Sequence, residues 1–286
     1  MSALIKTELR TENGWAILPS SLKRPDGAPR FNLSFPAFFG NDTSAGHLVL
    51  HETGAGYELP TRNLLERTLR RGDLFVDVGA HWGFFTLQAA THAAGDVSVV
   101  AFEPEFLNAT ILSENVARNG CSKPATVVCA ACGGDYEVAP LLTNGTMGHS
   151  IRGVGLREVE RGPARWVVVV PLDKALAGLP DQAGRRIVLK IDAEGFEPDV
   201  VTGAGALLRS GRVALILWEC GQAAAGETGR RAMIEMAAFL GNCGFRHFRP
   251  PDNNADGALL AFNSETTGYN GNVFSLGPQI ADEVQL

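Results

Sequence analysis

Cysteine is sparse in this chain: five residues in 286, Cys121, Cys129, Cys132, Cys220 and Cys243. An odd, thin set in a long chain builds no disulfide framework, and reduced thiols in a cytoplasmic protein are the expectation. Cys129-x-x-Cys132 lacks a second Cys or His pair at zinc spacing and lies in an apolar run, so it reads as structural. Long hydrophobic runs are missing too. No window approaches the ~18 uninterrupted apolar residues of a spanning helix, so no membrane partner is expected. The first residues carry Lys6, Glu8 and Arg10 where a secretory signal needs an apolar core. Positive charge is not in excess: the formal net charge is −6, which argues against nucleic acid as the main partner. What remains is an ordinary globular composition, 45% apolar and 20% charged. Its length suits one large domain with an appended segment.

The most informative stretch is Asp77-Val78-Gly79-Ala80-His81-Trp82-Gly83. It follows the apolar run Leu74-Phe75-Val76 and precedes the helical pattern of Phe84, Leu87, Thr91 and Ala94. That is strand, glycine turn, helix. The next apolar run, Val97 to Phe102, ends in Glu103-Pro104. A glycine turn at one strand end and an acid at the next make a nucleoside-binding pair: the backbone approaches the ligand closely and the acid accepts the ribose hydroxyls.

From residue 73 onward, strand-like runs at 73–78, 97–102, 126–131, 166–170, 187–191 and 213–218 alternate with helical patterns at 83–94, 105–118, 198–209 and 229–240. This alternation predicts an α/β fold, a mainly parallel central sheet with helices on both faces. Shorter strand candidates follow at 246–249, 258–262 and 273–276. Residues 1–56 read as an N-terminal extension or cap with short strands, one at 31–35 and one at His47 to His51, and residues 57–286 as the main domain. Residues 38–42 read as a turn and 61–69 as a helix. The glycine-rich stretch 133–165 reads as an inserted functional loop.

Ligands of an open parallel sheet bind beyond the carboxyl ends of its strands. Asp77, Glu103, Asp192 and Glu219 stand at four such ends, and Ala131 at a fifth. An acidic crevice suits a cationic ligand better than a polyphosphate. Gly79-x-x-x-Gly83 is neither the dinucleotide pattern Gly-x-Gly-x-x-Gly nor a phosphate loop. S-adenosylmethionine (SAM), with no phosphate but an ammonium and a sulfonium, fits that setting.

Val76 to Phe85, Ala101 to Pro104, Val170-Pro171-Leu172-Asp173 and Leu189-Lys190-Ile191-Asp192-Ala193-Glu194-Gly195-Phe196-Glu197, in this order, together resemble the FkbM-type methyltransferase family, as does Gly203-Ala204. The resemblance spans roughly residues 57–220. It implies a class I, Rossmann-like sheet with a reversed last strand and a SAM-dependent O-methyltransferase releasing S-adenosylhomocysteine. It also implies a hydroxyl acceptor among sugars, glycans or polyketide-type natural products.

On that reading, Asp77, Gly79, Ala80, His81, Gly83, Glu103, Pro104, Ala131 and Asp192 are the cofactor-binding residues. Gly79 and Gly83 let the turn approach the cofactor, and Glu103 takes the ribose diol or, in the plain alternative, only faces a helix N-terminus. A sugar hydroxyl must lose its proton as the new bond forms, so a base is needed. Asp192, Glu194 and His149 are the candidates. Asp192 can instead grip the SAM ammonium, and Glu194 can cap the turn at Gly195. His149 lies in the glycine-rich loop and titrates near neutral pH. Asp173 is expected to cap a helix at 174–178. A divalent metal held by Asp192 and Glu219 is a less favoured alternative. A non-catalytic nucleoside-binding scaffold is another, and a homo-oligomer is compatible with the chain.

Overall fold

The computed structural model describes residues 9–41, 45–46, 48–49, 52, 56–142, 149–151, 164–179, 184–221, 226–251, 257–263 and 269–280. Three short strands come first: β1 (Arg10–Glu12), β2 (Trp15–Pro19) and β3 (Asn32–Pro36), an antiparallel sheet. A 3-10 turn (Ala37–Asn41) occupies the expected turn at 38–42. Helix α1 (Leu59–Thr68) then leads into β4 (Leu74–Val78), the glycine turn and α2 (Phe84–Ala90). Next come β5 (Ser98–Phe102), α3 (Phe106–Arg118) and β6 (Ala125–Val128). A small side sheet uses β7 (Ala131–Cys132), β8 (Glu137–Leu141) and β9 (Arg165–Val170). The chain continues through α4 (Leu172–Ala177), β10 (Ile187–Ile191), α5 (Glu197–Gly203), α6 (Gly205–Arg209) and β11 (Val213–Gly221). It closes with α7 (Gly226–Asn242), β12 (Arg246–Arg249), β13 (Leu260–Ala261) and β14 (Asn270–Leu276).

The central sheet has the order β13-β12-β14-β11-β10-β4-β5-β6. Strands β11, β10, β4, β5 and β6 pair in parallel, and β14 runs against both β11 and β12. The mainly parallel sheet and its reversed last strand are therefore present. Strands β4 and β10 are buried at every position, which is why their sequences read as near-continuous apolar runs, broken only by Asp77 and Lys190, rather than alternating ones. The chain winds outward from β4 to β5 and β6, then returns to the other side of β4 with β10. This reversal opens a crevice between the carboxyl ends of β4 and β10.

Five expectations change. The run 126–131 leaves the central sheet after Val128, so Ala131 and Cys132 pair with β9 instead of β5. The strand at 166–170 is likewise in the side sheet. The expected strand at His47 to His51 is not one: Leu48 and Val49 are helical, and His47 and His51 lie outside the described residues. The pattern at 198–209 breaks at Ala204 into α5 and α6. Asp173 does not cap its own helix. It accepts from the backbone N–H of Ala206 and Leu207, both at 2.8 Å, and so caps α6.

The first strands share the main core. Phe31, Leu33 and Phe35 are buried with Trp82, Phe84 and Leu112. The Asn115 amide donates to the carbonyls of Ser34 and Trp82 and accepts from Ser34 N–H, tying β3 to α3 and to the glycine turn. Among the described residues no helix is long and apolar enough to cross a membrane.

Candidate active site

The glycine turn is fixed by backbone bonds across the sheet. Gly79 N and Ala80 N both donate to the Phe102 carbonyl, at 2.9 and 3.0 Å. Asp192 N donates to the Val78 carbonyl at 3.0 Å, which closes the end of β10 onto the end of β4. A Cβ on Gly79 would fall on the Asp192 carbonyl oxygen, so glycine is required there by strand–strand approach as well as by its φ of +78°. Gly83 has a different reason. Its φ is +91°, and a Cβ there would meet a Leu112 methyl of α3. The structure places Gly83 against a helix, away from the crevice wall.

The crevice is lined by Tyr57, Gly79, His81, Glu103, His149, Asp192 and Glu194, with Val78, Ala131, Leu141, Ile151 and Phe196 as its apolar surface. Glu103 is buried. One carboxylate oxygen accepts from His81 N at 2.8 Å, the other from Glu105 N at 2.9 Å. Burial pushes its pKa up to about 8, against the pull of the His81 N–H and Asn108. The N-cap of α3 is Glu105, which accepts from Asn108 N at 2.8 Å. Glu103 is thus not the helix cap, and its carboxylate faces the crevice.

Asp77 turns inward. One oxygen accepts from Thr86 Oγ1 at 2.7 Å, and the other, Oδ1, has no hydrogen-bond partner among the described atoms. Burial raises its pKa, with Lys190 pulling the other way. Asp77 and Ala80 line a small inner recess behind the turn, together with His81, Lys190 and Asp192. His81 holds a left-handed backbone, φ +51°, and stacks on Trp82 at 4.6 Å.

Asp192 is paired: Lys190 Nζ lies 2.7 Å from its Oδ2 and 4.9 Å from the Phe85 ring centre. Glu194 is not the cap of its turn. Glu197 does that, accepting from the N–H of Ala193 at 2.9 Å and of Gly195 at 3.0 Å. Glu194 has φ +50°, with its carbonyl accepting from Ser150 Oγ at 2.8 Å. Burial, and next the Asp192 and Glu197 charges, lift the Glu194 carboxyl to about 7. Glu219, at the end of β11, is lifted to about 9 by burial and then by the charges of Asp192 and Glu194. Carboxylate oxygens of Asp192, Glu194 and Glu219 all lie within 4.8 Å of one another. Asp192 and Glu219 thus come together with Glu194, and Glu103 lines the same crevice, while Asp77, the fourth expected acidic end, faces the inner recess instead.

Some functional groups carried no local signal. Tyr57 reaches the crevice from the segment before α1, with Glu58 hydrogen-bonded to its hydroxyl. Glu197 had a signal that was readable: an acid two residues after Gly195 is where a turn's N–H groups find an acceptor.

A family model described as the methyltransferase FkbM domain matches residues 77–247. No curated relative matches. Solved structures resemble the chain more distantly. A methyltransferase FkbM from Methylobacillus flagellatus KT is 14% identical over 73% of this chain and 45% of that one, less than half its length, with a TM-score of 0.46. A precorrin-6y C5,15-methyltransferase from Geobacter metallireducens GS-15 is 10% identical over 75% and 87%, at 0.41. A SAM-dependent O-methyltransferase from Thermotoga maritima is 12% identical over 76% and 64%, at 0.39. These likenesses are too weak to add to the family match.

Proposed function

Because the chain belongs to the FkbM methyltransferase family, we propose that it moves the methyl group of SAM onto a hydroxyl oxygen of a sugar, glycan or polyketide-type natural product. The observation that carries this reading is the buried Glu103 carboxylate beside the Gly79 backbone, at the reversal point of the sheet.

The residues present fit the cofactor. Glu103 offers lone pairs to a ribose diol. Val78, Ala131, Leu141 and Ile151 offer an apolar surface for an adenine. Asp192 offers a carboxylate to an ammonium. When bound, SAM supplies an electrophilic methyl carbon and leaves as a neutral thioether.

Among the three candidate bases, Glu194 is the best suited. Asp192 is engaged by Lys190, whereas Glu194, raised to about 7, can hold a proton taken from the acceptor hydroxyl near neutral pH. Asp192 then orients and Glu194 accepts the proton. His149 faces the same space and acts as a wall. The test is methyl transfer from radiolabelled SAM to a panel of hydroxyl compounds, together with calorimetric binding of S-adenosylhomocysteine. Absence of S-adenosylhomocysteine binding would refute the reading.

A second reading rests on the mutual approach of Asp192, Glu194 and Glu219. Three carboxylates from two strand ends are a donor set for a hard divalent cation, which would lower the acceptor's pKa. Loss of transfer in a chelator, restored by magnesium, selects it.

A further inference from the structure

We propose that Tyr57, positioned by Glu58 and Asn272, is the acceptor-binding wall of this crevice, and that the wall selects hydroxyl acceptors that carry no negative charge. This rests on the methyltransferase reading above and names the substrate class of the same site.

The first ground is where these residues come from. The family match begins at residue 77 and ends at 247. Tyr57, Glu58 and Asn272 all lie outside it, yet Tyr57 lines the crevice and the other two stand behind it. Asn272 Nδ2 donates to Glu58 Oε2 and to Thr61 Oγ1, both at 3.0 Å. Glu58 accepts from the Tyr57 hydroxyl. The segment leading into α1 and the last strand thus build one wall on a cofactor site made by the matched residues. The shared methyl-transfer apparatus does not need that wall; recognition of a particular acceptor does.

The second ground is local geometry. Glu58 occupies the N-cap of α1 with a left-handed φ of +42° and makes no side-chain cap bond. A glutamate there is strained. Its carboxylate is turned from the helix end toward Tyr57 and Asn272 instead. The Tyr57 ring is held edge-on to Phe84 at 5.2 Å and close to Phe85 at 6.1 Å, so the phenol is fixed against the crevice.

The third ground is charge. Among the described residues lining the crevice there is no Lys or Arg, while Glu103, Asp192 and Glu194 are acids. Lys190, behind them, is bound to Asp192 and also feels Glu58 and Asp77. Glu219 and Glu58 add further acid at the same end. A phosphate or carboxylate on the acceptor would meet carboxyl groups, with no Lys or Arg beside it among the described lining residues. A neutral polyol meets carboxylate and phenol oxygens that accept its hydroxyls.

The experiment uses the full chain loaded with S-adenosylhomocysteine, titrated calorimetrically with methyl β-glucoside or with glucose 6-phosphate. The expected result is binding of the glycoside at least tenfold tighter than the phosphate. Tyr57→Phe, which keeps the ring packing, is expected to weaken glycoside binding about tenfold and leave S-adenosylhomocysteine affinity unchanged. Glu58→Gln, checked for fold by circular dichroism, is expected to narrow the glycoside-to-phosphate ratio at least threefold. Equal or tighter phosphate binding overturns the proposal, as does binding of neither probe. A Tyr57→Phe variant that loses S-adenosylhomocysteine affinity as much as glycoside affinity also overturns it, by placing Tyr57 on the cofactor. If the unmodified chain does not bind S-adenosylhomocysteine, the methyltransferase reading itself fails, and that measurement is made first.

Discussion

Replacing Glu103 with Gln tests the cofactor site most directly. In the free protein one carboxylate oxygen accepts the His81 N–H and the other the Glu105 N–H, the Asn108 side chain also bonds to the group, and the carboxylate borders the crevice. A ribose diol would donate to the acceptor capacity that remains. Hydrogen bonds to a charged acceptor contribute about 1.5–3 kcal/mol each. Glutamine retains one acceptor oxygen, so at least one such bond is lost. Its NH2 would also face one of the two backbone donors, which disturbs the remaining one. The expected loss is about 3 kcal/mol, or roughly 100-fold in S-adenosylhomocysteine affinity.

Proton linkage adds a second readout. Glu103 sits at about 8 without ligand, so it is mostly protonated at pH 7. Diol hydroxyls donating to it favour the ionised form, so binding releases a proton and affinity falls as pH drops below 8. Calorimetry in buffers of different ionisation enthalpy measures that release. An affinity change under threefold, with no proton released, would refute the ribose role. Glu105→Ala is the control: it removes the α3 cap at about 1 kcal/mol of stability and should leave cofactor affinity alone.

Glu194→Gln should lower the transfer rate by about 10²-fold or more, and the unmodified enzyme should lose rate as pH falls through about 7; a flat pH profile would remove Glu194 as base. Gly79→Ala should destabilise the chain by several kcal/mol, because its Cβ meets backbone at Asp192 that cannot rotate away; Gly83→Ala meets only a Leu112 side chain and should cost less. A thermal melt of both variants that gives the reverse order would count against this packing. The ligand-free melting temperature should fall between pH 5 and pH 8. Glu103, Glu194 and Glu197 keep protons that the unfolded chain releases near pH 4.3, so the stability they lend below that value is lost as pH rises through about 7 to 8; a rising melting temperature would contradict their burial.

Much of this protein was legible along the chain. Strands β4 and β10 announce themselves as near-continuous apolar runs, broken only by Asp77 and Lys190, because both their faces are covered. Gly79 and Asp192 announce themselves because the chain must turn sharply at a strand end. The side sheet was not legible. Ala131 and Val169 have the same local character as central-strand residues, and only pairing partners separate the two cases. Asp173 shows the same limit: its position said helix cap, and its geometry chose a different helix.

The sequence alone determined the fold class, the family and the acids at the strand ends, because these depend on residue type and spacing within short segments. Only the tertiary structure decided what each acid does. Lys190 takes Asp192, Glu197 takes the turn N–H groups, Glu105 takes the helix end, and Glu194 and Glu103 are left facing the crevice. Tyr57 and Asn272 stand more than 200 residues apart in sequence and share one wall. Hydrogen-bond partners and local dielectric are properties of distance in space, and no spacing along the chain encodes them.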